Sequence, residues 1–398
     1  MKIRRTGDRK NRNRAIGTGN EVSNISTLPV SLLLEIFLRL GIEALIYCKS
    51  VCKSWYKLLS ESSFSDFYEK YSGTTHLMLP KPLLRCKIDY EPVYLLEFDK
   101  NWDCSVRLIN LRLPKTVHTS SLVDVVNSCN GLFTLLFDEL VYISNPITGV
   151  CIELPKHRKE LIEMDEVLYK IGFSPSENKF KVVRHAYHTL NDNVINKLSI
   201  LTVGVDKKWR RVTLPCRNGW FSCKWICLDG AFHWIVKDNN GTSWISTFDL
   251  AEEKFGRVSH PPDVELDSEK VRLELYGNRL TLMDSSNELH IDLWTMSDTK
   301  TWSKDEILYS WFPSDLHPDE IFLIGMLRNG VVLFSDSTSI IHIDVKGKRC
   351  SRIRVIHSPR ISYRIMMYTP RFSSFWKDVM PSARVMSMFR RTSSELLF

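Results

Sequence analysis

The sequence predicts an α+β multidomain protein in which a small N-terminal helical unit precedes an all-β propeller of roughly six blades. Three observations predict it. Apolar residues recur at helical spacing from Ser26 to about Tyr71. Beyond residue 75 they alternate, or gather in short runs, between turns marked by Gly, Asn and Asp. The turn signals themselves return: Gly230 to Gly277 is 47 residues, Gly277 to Gly330 is 53, and Gly131 to Gly230 is 99, two such periods with a fainter unit near Gly172.

Length and charge set the frame. At 398 residues the chain exceeds one ordinary core, and domains of roughly 100–200 residues suggest two or three units. The pattern divides it into a basic disordered arm (1–24), a helical unit (25–72), a β domain (75–372) and a C-terminal tail (373–398). Hydrophobic residues at 43% and charged residues at 25% are ordinary for a soluble globular protein. No apolar stretch approaches the roughly 18–20 residues that span a bilayer, and Met1-Lys2-Ile3-Arg4-Arg5 is not followed by the apolar core of a secretory signal. A reducing compartment, nucleus or cytoplasm, is therefore expected, and most of the ten scattered cysteines are expected to be buried free thiols. Of the net charge of +8, residues 1–14 carry +6. That arm has the composition of a solvated tail or a nuclear-import tract, and the near-neutral body lacks the clustered cations of a phosphate-binding domain, so neither nucleic acid nor membrane is an expected partner.

In the helical unit Pro29 sits where a missing amide is harmless. Leu32, Leu33, Ile36, Phe37 and Leu40 form a continuous stripe, Leu34 and Leu38 lie outside it, and Gly41 ends the helix. A second amphipathic segment carries Leu45, Cys48, Val51 or Cys52, Trp55 and Leu58 or Leu59. Two or three helices in about 45 residues bury little surface, so the surplus leucines call for the neighbouring domain or another protein.

The order Leu28-Pro29-x-x-Leu32-x-x-Glu35-Ile36-x-x-Arg39-Leu40, then Val51-Cys52-Lys53-x-Trp55 and Phe64, resembles the F-box. It departs at Gly41, where that family often has Pro, and at Ser31, where it often has Asp or Glu. The resemblance implies docking on a Skp-type adaptor and through it on a cullin, with Leu28, Pro29, Leu32, Ile36, Leu40, Leu45 and Val51 at or near the contact. Trp55 and Phe64 are expected to hold the unit together.

In the β domain, Asn130-Gly131 and Asp229-Gly230 each introduce a strand pair, and the period near 50 fits kelch-like blades better than a sandwich. Trp209, Phe255 and Trp302 recur late in these units, where wedges between blades need filling. Ser128-Cys129-Asn130-Gly131-Leu132, Asn145-Pro146-Ile147-Thr148, Ile171-Gly172-Phe173-Ser174-Pro175 and Ile291-Asp292-Leu293-Trp294 resemble, in that order, the plant F-box-associated domain, with Ser174 where the family usually has Asp. The resemblance implies a substrate-recognition module. Together the two domains imply an SCF-type ubiquitin-ligase adaptor with an unknown target; a propeller scaffold without a ligase role and the pollen S-locus F-box proteins remain alternatives. The loop Arg217-Asn218-Gly219-Trp220-Phe221 is a candidate target contact, although Phe221, Cys223, Trp225 and Cys227 alternate as a buried strand face would.

No Gly-x-Ser-x-Gly elbow, Gly-x-x-x-x-Gly-Lys cradle or His-Glu-x-x-His helix occurs. Cys223 and Cys227 on one strand face would stand about 13 Å apart at roughly 3.3 Å per residue, too far to share a zinc ion without a bend. His185 and His188, three apart, would point to opposite faces of a strand. A non-catalytic protein without metal or cofactor is expected.

Overall fold

The computed structural model describes residues 28–80, 90–99, 101–112, 124–137, 140–158, 164–191, 193–222, 224–266, 270–276, 278–316, 321–327, 330–336, 339–354 and 365–373. The basic arm and the tail beyond Ser373 lie outside them.

Four helices open the described chain: α1 (Val30–Leu38), α2 (Ile42–Cys48), α3 (Lys53–Ser60) and α4 (Ser62–Tyr71). The single second segment expected from the sequence is divided, because the Ser50 hydroxyl donates to the Tyr47 carbonyl at 2.7 Å and closes α2 before Cys52 begins α3. The expected stripe on α1 is also divided. Leu33 and Phe37 point inward, while Leu32 and Ile36 remain outside. Inside, Phe37 meets Trp55 edge to face at 5.0 Å and Phe64 at 6.4 Å. None of the four helices is long and apolar enough to cross a membrane.

The β strands follow as antiparallel meanders. β1 (Thr75–Pro80), β2 (Tyr90–Phe98) and β3 (Cys104–Arg112) form the first sheet, and β4 (Asp124–Cys129), β5 (Leu132–Phe137), β6 (Leu140–Asn145) and β7 (Val150–Glu153) the second. β8 (Glu166–Ser174), β9 (Lys179–Leu190), β10 (Asn193–Thr202) and β11 (Arg210–Val212) make the third. In the fourth, β12 (Trp220–Phe221) and β13 (Ile226–Leu228) both pair with β14 (Ala231–Lys237), followed by β15 (Ser243–Asp249) and β16 (Phe255–Val258). β17 (Val271–Tyr276), β18 (Arg279–Asp284), β19 (His290–Met296) and β20 (Trp302–Leu308) are joined to β21 (Phe322–Met326), β22 (Val331–Ser335), β23 (Ser339–Asp344) and β24 (Arg349–Arg354) through one parallel pair, Tyr276 with Met326. Finally β25 (Met366–Met367) returns to pair with Leu77 and Met78 of β1.

Turn chemistry sets these registers. Asn130-Gly131 and Asp229-Gly230 both take positive φ, at 45° and 77° and at 47° and 78°, the requirement of two-residue turns whose twist matches a hairpin. Central strands such as β22 are buried on both faces, as they must be when each sheet lies between two others. Apolar clusters fill every such gap. One joins β4–β7 to β8–β10, the next β9 and β10 to β14 and β15, and so on to Leu77, Leu96 and Phe98 against Ile324, Leu333 and Ile340, which brings the last strands back to the first. The result is a closed, propeller-like ring. Trp209, Phe255 and Trp302 pack in these gaps, as their spacing suggests.

The helices and the ring share one core: Phe37, Trp55, Phe64 and Tyr68 are continuous with Met78, Leu95, Phe133 and Tyr142. The segment after β25 runs between them. Phe372 packs on Phe64 at 5.5 Å and on Tyr68 at 5.2 Å, its amide donates to the Ser65 hydroxyl at 3.0 Å, and its carbonyl accepts from Lys49 at 2.6 Å. Burial there pulls the Lys49 amine down to about 8. On the ring side Asn145 donates to the Arg371 carbonyl at 3.0 Å while its own oxygen accepts from the amides of Ile147 and Thr148. The Asn145-Pro146 turn thus both closes its hairpin and holds the returning chain.

Candidate protein-docking surfaces

An apolar face on the helices and a set of separate exposed apolar side chains on the ring stand at opposite ends of the molecule. Of the thirteen large hydrophobic side chains exposed among the described residues, eight belong to the four helices and the turn between α2 and α3: Val30, Leu32, Ile36, Tyr47, Val51, Tyr56, Phe67 and Tyr71. So small a unit cannot bury them by itself. The ring has already covered its inner side and leaves this outer face free. Leu32 is 47% exposed, Ile36 39% and Val51 59%. Pro29 is exposed, and Leu28 and Leu40 are half-buried. Leu45 differs from the expectation that places it at the docking contact: it is 0% exposed, inside the core with Trp55 and Leu59, because the short α2 turns it toward α3. Trp55 and Phe64 are buried in that same core. Tyr47, Tyr56, Phe67 and Tyr71 stand outside the F-box order, although Phe67 and Tyr71, one turn apart and 5.5 Å between ring centres, carry a readable helical spacing.

The second surface follows from strand direction. The turns after β4 and β6 face the helices, since Gly131 abuts Arg371 and Asn145 bonds to it. In an antiparallel meander the alternate turns must then lie at the far end. Leu190 in the β9–β10 hairpin, Trp220 at the start of β12, Leu289 in the β18–β19 hairpin and Leu308 at the end of β20 all fall there; of the remaining exposed apolar side chains on the ring, only Val205 is on the helix side. Around Trp220, Gly219 donates to the Val194 carbonyl at 3.1 Å and Trp220 pairs with Lys237, so the Arg217–Phe221 loop is bound to both neighbouring hairpins, which Asn239 joins by donating to Asn193 at 2.8 Å. Trp220 faces outward at 49%, while Phe221 and Trp225 point into the core.

Chemistry is sparse by comparison. His290, Asp292 and Glu306 converge on β19 and β20, but the Lys304 ammonium already lies 3.1 Å from Asp292 and 3.4 Å from Glu306 and supplies the balancing cation. His185 is buried, its Nε2 2.8 Å from Asn196 Oδ1, while His188 lies on the opposite strand face beside Asp165 at 3.2 Å. Burial holds the His185 imidazole below its ordinary range.

Residues 97–367 match the family described as the F-box associated beta propeller domain, and residues 25–65 match the F-box-like family. The chain belongs to the plant F-box proteins with an F-box associated propeller domain. An Arabidopsis thaliana F-box protein is 25% identical over 337 residues, covering 80% of each chain. Another from the same plant is 25% identical over 325 residues, covering 78% of this chain and 79% of that one. Among solved structures, TolB from Acinetobacter baumannii superposes with a TM-score of 0.43 at 10% identity, over 77% of this chain and 72% of that one. In this F-box protein the two matched regions meet in one continuous core, with the exposed apolar face of the helices on the side away from the ring.

Proposed function

We propose that this F-box protein is the substrate-recognition subunit of an SCF-type ubiquitin ligase. Its α1 face, with Leu28, Pro29, Leu32, Ile36, Leu40 and Val51, docks on a Skp-type adaptor and through it on the cullin, and its propeller captures the target protein. The ring is read as six kelch-like blades, the eight-stranded sheet counting as two and β25 completing the first. The chain contributes no catalytic group of its own; transfer of ubiquitin falls to its partners in the nucleus or cytoplasm. The observation that carries this reading is the outer helical face, apolar and uncovered although its inner side is packed on the ring. The target is assigned to the far end, around Leu190, Trp220 and Leu289, because a protein held there leaves the adaptor face clear.

Affinity capture under proteasome inhibition tests both assignments. The intact chain and a Leu190→Ser, Trp220→Ala, Leu289→Ser variant are expected to recover equal amounts of adaptor, with the variant losing at least tenfold of a companion that wild type stabilises, since an exposed tryptophan anchor is worth about 2 kcal/mol or more. Failure to recover adaptor with either chain would overturn the reading. Equal recovery of companion with both would remove the target from this face.

A further inference from the structure

Between the third and fourth sheets the chain changes partners. Beyond β11 it returns to β10, where the Arg217 carbonyl accepts from the Asn196 amide at 2.8 Å and Asn218 bridges to Ile195, and it then leaves for β14 at Trp220 and Phe221. Gly219 is the crossing point: its φ is 131°, and a Cβ there would stand 2.3 Å from the Lys237 carbonyl oxygen. The Asn196 side chain, 2% exposed, spans that crossing. Its Nδ2 donates to the Arg217 carbonyl at 3.1 Å and to the Gly219 carbonyl at 2.8 Å. These two carbonyls use both protons of the amide, so Oδ1 is left to accept, and His185 Nε2 at 2.8 Å must carry the proton it accepts. His185 and Asn196 are diagonal neighbours on β9 and β10. The imidazole is fixed in turn by the fourth sheet, its ring stacked on Phe221 at 5.3 Å and on Trp225 at 5.6 Å.

We propose that Asn196, oriented by His185, is a positioning residue for target capture: it fixes the Arg217–Phe221 segment across the gap between the sheets, so that Trp220 stands outward before the target arrives. That role rests on the target binding at this end of the ring, as proposed above. A loose segment would lose conformational entropy on binding, whereas one already fixed presents its anchor without that cost. Buried beneath the segment, Asn196 acts through Trp220 and not by contact with the target.

Nitrogen NMR of the full chain, labelled selectively at histidine, is expected to show His185 neutral with its proton on Nε2; a proton on Nδ1 would overturn the arrangement. Hydrogen exchange read by mass spectrometry then compares variants. Asn196→Ala, and His185→Phe, which keeps a ring for the stack and removes the donated proton, are expected to speed exchange over residues 217–221 roughly tenfold or more while β4–β7 exchange as in wild type. His185→Gln, whose amide reaches the place of Nε2, is expected to restore wild-type exchange. Capture of the companion follows the same order, falling roughly tenfold or more with Asn196→Ala and with Trp220→Ala and persisting with His185→Gln. Unchanged exchange over 217–221, or faster exchange with the companion captured in full, would overturn the role of Asn196 while a loss with Trp220→Ala kept the target at this face. Full capture by Trp220→Ala would instead refute the target assignment, and the role of Asn196 with it.

Discussion

Introducing Asp at both Leu32 and Ile36 is expected to weaken binding to a Skp-type adaptor by roughly 100-fold or more while leaving unfolding nearly unchanged. The two effects separate because of where the side chains stand. Both residues are more than a third exposed, so charge added there remains hydrated in the free protein and costs within about 0.5 kcal/mol. In a complex the same carboxylates would be buried without partners, each at roughly 2 kcal/mol or more, and every 1.4 kcal/mol or so is tenfold in affinity. Leu33 and Phe37, one position further round the helix, invert the pattern: truncating them attacks the core first. Calorimetric titration beside a urea melt of each variant reads both quantities. A double variant that melts early and binds weakly would mean that α1 is packed differently.

Phe372→Ala is expected to cost about 3–5 kcal/mol, as removal of a fully buried phenylalanine does. The residue lies in the described chain's final segment, yet its ring is enclosed by Phe64 and Tyr68, and it forms the contact through which the returning chain holds the helices to the ring. Its loss is expected to split unfolding into two transitions, with the helices released at lower urea than the sheets. Phe67→Ala on α4 is the control, because Phe67 is 46% exposed and its truncation changes stability by no more than about 0.5 kcal/mol. A single transition at the wild-type midpoint for Phe372→Ala would show that the helices do not depend on this segment.

Local chemistry made much of this legible. Asn130-Gly131 and Asp229-Gly230 read as hairpin turns because left-handed backbone is tolerated there, and both take it. Trp55 read as core because it falls on the apolar face of the second helical segment, and Phe64 because of its place in the F-box order, and both are buried. Leu32 and Leu33 could not be told apart by such means. Both lie on an almost wholly apolar helix, and which of them faces inward depends on where the ring sits. The same holds for Leu45, whose burial follows from a helix break at Ser50 that periodicity smooths over. β25 left no local trace, since two methionines carry no strand signal; the pairing with Leu77 and Met78 exists because ring closure brings distant parts of the chain together. That Leu190, Trp220 and Leu289 share the far end is likewise a product of strand direction, not of any motif.

The central claim, that adaptor and target occupy opposite ends of the molecule, is tested most directly by lysine cross-linking of the purified chain to a Skp-type adaptor, read by mass spectrometry. The expected cross-links join the adaptor to Lys53 and Lys57 beside the exposed helical face and leave Lys237 and Lys270, beside the far-end hairpins, unmodified by it. Cross-links concentrated on Lys237 or Lys270 would contradict the account.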